Sequence, residues 1–100
     1  MNDRLLSFLG LCRRAKKLVI GAETTEASVR EGKSLLVLYA EDASPNSLKR
    51  VRRACEEHGV PMLCVNRGKE PLSLALGRLS AVLSVEDKGF ADKLRQMIDD

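Results

Sequence analysis

The stretch LVIGAETTEASVREGKSLLVLYA, residues 18 to 40, holds the best candidate for chemistry in the chain. An apolar run, Leu18-Val19-Ile20, stops at Gly21, and Ala22-Glu23-Thr24-Thr25 follows with the marks of a helix start. A helix N-terminus leaves backbone N–H groups unpaired and carries partial positive charge, which suits a phosphate. Glycine and threonine also make an ordinary helix cap, so the stretch alone leaves both uses open. Positive charge gathers elsewhere in two places. Arg4, Arg13, Arg14, Lys16 and Lys17 stand against Asp3 alone at the start, and Lys49-Arg50-Val51-Arg52-Arg53 form a second run. Acids collect in the last fifteen residues, at Glu86, Asp87, Asp92, Asp99 and Asp100. Charge segregated in this way marks a candidate for a polyanion partner, although solvated helix faces have the same composition.

Other chemistries lack their residues. The lone His58 falls in the last turn of a helix, where a cation suits the macrodipole. No Cys/His/Asp cluster has metal-ligand spacing, and no G-x-G-x-x-G or Walker sequence is present. Glu56-Glu57 and Glu41-Asp42 are adjacent carboxylates, and adjacency does not aim both at one reacting atom. No enzyme and no cofactor are expected. Cys12, Cys55 and Cys64 have no C-x-x-C pairing and sit among apolar residues, so they read as small core residues in a reducing compartment. The apolar run at the start is too short for a signal peptide, and no segment has the length of a membrane span. A cytoplasmic protein is expected.

The positioning elements can be read from periodicity. The 100 residues, with 44% apolar and 31% charged and a net charge of +3, suit one domain over 1–100 with a single core. Phe8, Tyr39 and Phe90 are the whole aromatic inventory, too few for a sheet that stacks bases on several rings. Leu5, Phe8, Leu9 and Cys12 recur at helical spacing and predict a first helix over roughly 3–16. Leu18 to Ile20 make a short strand, and Thr24 or Gly21 caps a second helix that ends near Gly32. SLLVLYA, residues 34 to 40, is apolar without alternation, the pattern of a strand buried on both faces. A third helix starts near Pro45 with Leu48, Val51 and Cys55 inward. PMLCV and SAVLSV are further strands, NRGKEPLSLALGR is a loop with a short helix, and the last helix turns Phe90, Leu94, Met97 and Ile98 inward. Helices alternating with apolar strands predict a three-layer α/β/α sandwich with a mixed sheet of about four strands.

Three pieces taken in order, LLSFLGLCRRAKKLVIG, LVLYAEDASPNSLKRVRRACEEHGVP and SVEDKGFADKL, resemble the bacterial YlxQ-type and YbxF-type proteins. These belong to the ribosomal protein family of L-seven-Ae and L-thirty-e, the kink-turn RNA binders. The similarity runs from about Leu5 to Leu94. It implies the same α/β/α sandwich and a ribosomal-protein-like monomer that binds a sharply bent RNA or ribosomal RNA, at or off the ribosome.

By the same resemblance, the RNA contacts begin where the second helix opens. The family's archaeal members have a glycine, a small residue, Asn-Glu and then a Lys. Here those places hold Gly21, Ala22, Glu23, Thr24 and Ala27, with Thr25 matching a threonine of bacterial members. An ionised Glu23 offers only acceptors where Asn offers both kinds of group, and Ala27 removes a phosphate cation. Lys17 matches a family lysine before the strand, with Lys16 and Lys33 as supports. The loop after PMLCV would bring Arg67, Gly68 and Lys69 to the backbone and Leu74 or Ala75 to a flipped base. Leu72, Leu74 and Leu76 could equally be core. The competing reading is a protein-interaction module that keeps the fold and has lost the RNA. Because apolar strands and amphipathic helices account for every large hydrophobic residue, a chelator or a reductant is expected to leave the melting temperature unchanged within a few degrees.

Overall fold

The computed structural model describes residues 3–99. Its elements run α1 (Arg4–Arg14), β1 (Leu18–Ile20), α2 (Ala22–Arg30), β2 (Leu36–Tyr39), α3 (Pro45–His58), β3 (Met62–Cys64), α4 (Lys69–Leu76), β4 (Val82–Val85) and α5 (Lys88–Asp99). Asp3 caps α1, its carboxylate accepting from the Leu6 amide at 3.1 Å. The helix buries Leu5, Leu9 and Cys12, and it stops short of the expected residue 16. Lys16 takes a left-handed conformation there, φ 63°, which turns the chain into β1. Pro45 opens α3 in its first turn, where no N–H partner is needed, and left-handed Gly59 closes it. Pro71 likewise lies in the first turn of α4, among amides that an α-helix leaves unpaired anyway.

The strands form one mixed sheet in the order β1-β4-β2-β3. β4 runs antiparallel to both β1 and β2, and β3 pairs parallel to β2. Alternation along the strands divides the core into two layers. Leu36, Leu38, Leu83 and Val85 meet Leu5, Leu9, Leu72, Leu76 and Leu94, so α1, α4 and α5 cover one face. Val37 and Val82 meet Val29, Val51, Ala54 and Cys55, so α2 and α3 cover the other. This is the expected three-layer α/β/α sandwich. The second face also holds buried hydroxyls. Ser28 Oγ lies 2.7 Å from Ser84 Oγ and donates to Glu86 Oε2 at 2.6 Å, which ties α2 to β4 and satisfies both serines.

β4 pairs on both sides, and Leu83 lies on it with no exposed surface. Leu83→Ala removes packing that the surroundings cannot replace. It is expected to lower stability by about 2–5 kcal/mol, read as a lower urea midpoint with an unchanged m value.

Candidate functional site

The sheet register collects the candidate loops at one edge. Tyr39 pairs with both Val82 and Cys64, and Ile20 pairs with Leu83. The C-terminal ends of β1, β2 and β3 therefore lie beside the N-terminal end of β4. Backbone bonds join the loops that leave this edge. Gly21 N donates to Val82 O at 2.9 Å, Ala40 N to Ala81 O at 2.8 Å, Val65 N to Tyr39 O at 2.9 Å, and Glu41 N to Arg67 O at 2.9 Å. Asp42 Oδ1 accepts from the Lys69 amide at 2.8 Å and so caps α4.

At the centre of this edge α2 begins. Gly21 is its N-cap, with φ 115° and ψ 149° and no side-chain hydrogen bond over the first turn. Few L residues adopt that φ, and a Cβ there would stand 3.0 Å from Thr24 Oγ1. Glycine thus lets the chain turn directly from β1 into a helix whose first amides remain open. Thr24 is exposed, and its hydroxyl donates inward, to Ile20 O at 2.6 Å with Gly21 O at 3.2 Å. Its lone pairs remain for a ligand while its proton is spent. Glu23 is exposed beside it and, ionised, only accepts. The α2 start therefore combines backbone donors with side-chain acceptors.

The structure revises the sequence reading of several neighbours. Thr25 is fully buried, and its Oγ1 has no partner among the described residues, so it faces the core and not a ligand. Ala27 is exposed, as a contact position requires. Glu26, in contrast, is bound to Arg30 at 3.1 Å and Arg50 at 3.3 Å, which offset its charge. Arg67 is committed as well. Its Nε donates to Asp3 Oδ2 at 2.6 Å, and Nη1 donates to the Val65 and Asn66 carbonyls. Gly68, the α4 N-cap, packs near the Asp42 carboxylate, and the Lys69 side chain is half-buried.

The three other lysines lie at the far edge. Lys17 O accepts from Glu86 N, just beyond the C-terminal end of β4. Lys16 precedes it, and Lys33 pairs with Glu31 at 3.2 Å below the end of α2. From Lys17 to Gly21 the strand spans about 13 Å. The two halves of the expected site are thus held apart by β1.

An apolar surface that the sequence left ambiguous resolves along α4. Leu72 and Leu76 are core, whereas Leu74 is 77% exposed and Ala75 is exposed beside it. The following turn adds Leu79, 82% exposed, and Arg78. Both share an open groove with Leu74, Ser73, Lys69 and Glu70. Ser80 fixes the turn, its amide donating to Ser73 Oγ at 2.8 Å and its hydroxyl to Arg78 O at 2.8 Å. Arg13 reaches this turn from α1, its Nη1 lying 3.1 Å from where a Gly77 Cβ would stand. Arg13 belongs to the basic group at the start of the sequence, whereas Arg78 and Leu79 stand out only in the structure. The available signal was a bare leucine in the helix-to-strand turn Gly-Arg-Leu-Ser.

Nucleophilic thiol chemistry is disfavoured at the buried cysteines. Burial pushes the Cys12 thiol up to about 11, with Asp87 adding to the effect, and burial raises Cys55 as well. Among the described residues no group of three His, Cys, Asp or Glu side chains could hold a metal ion. No helix among them is long and apolar enough to cross a membrane.

The pattern of the ribosomal protein L7Ae/L30e/S12e/Gadd45 family matches residues 3–95. RNA-binding protein YlxQ of Bacillus subtilis (strain 168) is 37% identical over 92 residues, 91% of each chain. RNA-binding protein YlxQ of Enterococcus faecium is 32% identical over 98% of this chain and 94% of its own. A protein of unknown function from Bacillus halodurans superposes with a TM-score of 0.90 at 32% identity, covering 99% of this chain and 100% of that one. The 15.5kD RNA binding protein of Giardia lamblia shares the fold, with a TM-score of 0.74 at 23% identity over 99% of this chain and 91% of its own.

The Asp3–Arg67 pair makes a prediction about acid stability. The hydrogen bond from Arg67 holds the Asp3 carboxyl below its ordinary 3.8, with the Leu6 amide assisting against partial burial. A depressed carboxylate contributes stability above its unfolded pKa and loses it as pH falls through the folded value. Asn keeps the capping oxygen and removes the charge. Asp3→Asn is therefore expected to flatten the loss of stability below about pH 4, measured by urea unfolding across that range.

Proposed function

Because this chain belongs to the ribosomal protein L7Ae/L30e/S12e/Gadd45 family, we propose that it is a small non-catalytic RNA-binding protein. In this reading it acts as a cytoplasmic monomer on kink-turn or ribosomal RNA, at or off the ribosome. One observation carries the proposal: the open, glycine-capped start of α2 is bonded through Gly21 N to Val82 O, the first residue of the strand that follows the exposed Arg78-Leu79 turn. The open amides suit a phosphate or a base acceptor. Glu23 and the Thr24 lone pairs suit donors, such as the amino and imino groups of a guanine edge. Leu74 and Leu79 offer an apolar surface to a base splayed out of its stack, and Arg78 and Arg13 supply phosphate charge. Two relatives at 37% and 32% identity carry the name RNA-binding protein, which supports RNA as the ligand class.

The contact set differs from the one suggested by sequence. Arg78, Arg13 and Leu79 enter it beside Gly21, Ala22, Glu23, Thr24, Ala27, Lys69, Leu74 and Ala75. Lys16, Lys17 and Lys33 leave it because they face the other edge. Arg67 stays as a strut for the loop, and Gly68 as the cap of α4.

Binding of a labelled kink-turn RNA beside a plain duplex, each over a salt series, tests the proposal. The kink-turn is expected to bind more tightly. Arg78→Ala should make the slope of log affinity against log salt shallower by about one unit, and Leu79→Ala should weaken the kink-turn several-fold. Lys17→Ala should change neither. Binding of neither RNA would favour the protein-interaction module, and equal binding of both would overturn the kink-turn preference.

A further inference from the structure

We propose that α3, with the seam it forms against α2, carries a second RNA contact that grips phosphates without reading sequence. The proposal rests on the RNA-binding reading above and concerns a different surface. Four cations occupy five positions of α3, Lys49, Arg50, Arg52 and Arg53, with no acid before Glu56. Lys49 and Arg53 stand one turn apart and are exposed, and neither pairs with a carboxylate among the described residues. Arg50 and Arg30 share one acid, Glu26. The Glu26 side chain is only 17% exposed, whereas Arg50 is 71% and Arg30 39% exposed. The acid thus fixes two guanidiniums from beneath while an approaching anion meets mainly the cations. Arg30, Lys49, Arg50 and Arg53 border one small cleft with Glu26 at its wall.

A solvated helix face kept only for solubility gains from mixing charge signs one turn apart. This stretch withholds the opposite sign and anchors its cations instead. The chemistry that fits is a row of phosphodiesters. Guanidinium and ammonium groups alone border the cleft beside Glu26, so phosphate charge is the feature it can grip. The Arg52 guanidinium lies over the Tyr39 ring, 5.8 Å from its centroid. Position favours RNA over an acidic peptide. α3 leaves the same sheet edge as the α2 start, with Lys49 about 6 Å and Arg53 about 12 Å along the axis from Pro45. A stem docked at that edge continues naturally over these side chains.

A plain RNA duplex without any internal loop isolates this surface, titrated against the full chain over a salt series. The variant Lys49→Gln with Arg53→Gln changes two exposed residues and is checked for an unchanged melting temperature. It is expected to make the duplex salt slope shallower by about two units and to weaken duplex binding at low salt. An unchanged slope overturns the proposal. Polyglutamate, the probe for an acidic protein partner, is expected to compete weakly. Displacement of the duplex by polyglutamate at equal charge concentration overturns RNA as the occupant. A reduced duplex slope in a protein with no kink-turn preference would support this surface and sink the reading of the α2 edge.

Discussion

The pairing of β4 between β1 and β2 is the constraint on which the rest of the molecule depends. β4 has only four residues, Val82 to Val85, and both of its edges are bonded. Because it runs opposite to both neighbours, its N-terminal end must lie beside their C-terminal ends. Gly21 and Ala40 therefore donate to the carbonyls of Val82 and Ala81. Those two bonds set the α2 start, the turn after β2 and the Arg78-Leu79 turn side by side. Burying Leu83 and Val85 on one face and Val82 and Ser84 on the other leaves little freedom to slip, since a shift of one residue would exchange the faces.

Around that frame, charged residues serve largely as fixtures. Asp3 caps α1 and holds Arg67, joining the first helix to the loop after β3. Asp42 caps α4 from the turn after β2. Glu26 joins α2 to α3 through Arg50. Half-exposed pairs of this kind contribute modestly to stability; their larger effect is to settle which cations remain available to a ligand. Arg67 is used up. Lys49, Arg53 and Arg78 form no ion pair among the described residues.

The α2 start shows how chemistry follows from backbone shape. The positive φ at position 21 favours glycine, which has no side chain, and no side-chain hydrogen bond closes the first turn. Thr24 turns its proton back to Ile20 O and steadies the strand-to-helix turn. What faces solvent is a set of main-chain donors flanked by acceptors. Such a surface suits a ligand with both phosphate oxygens and base N–H groups, and nucleic acid has both.

Much of the architecture was legible in the sequence because its causes are local. Apolar spacing of 3.6 or a continuous apolar run marks a helix or a buried strand within a dozen residues, so the order of elements and the sandwich class could be read directly. The glycine at the α2 start was visible for the same reason. The composition of the site was not. Lys17 and Gly21 lie four residues apart, yet β1 carries them to opposite edges. Leu74 and Leu76 look equivalent in sequence, and only packing against the sheet buries one and exposes the other. Arg67 is held in place by an ion pair with Asp3, a residue 64 positions away. Arg78 and Leu79 gain significance because β4 sets their turn beside Gly21. Strand order and cross-chain pairing depend on the free energy of the whole fold, so the tertiary structure alone decided which residues share a surface.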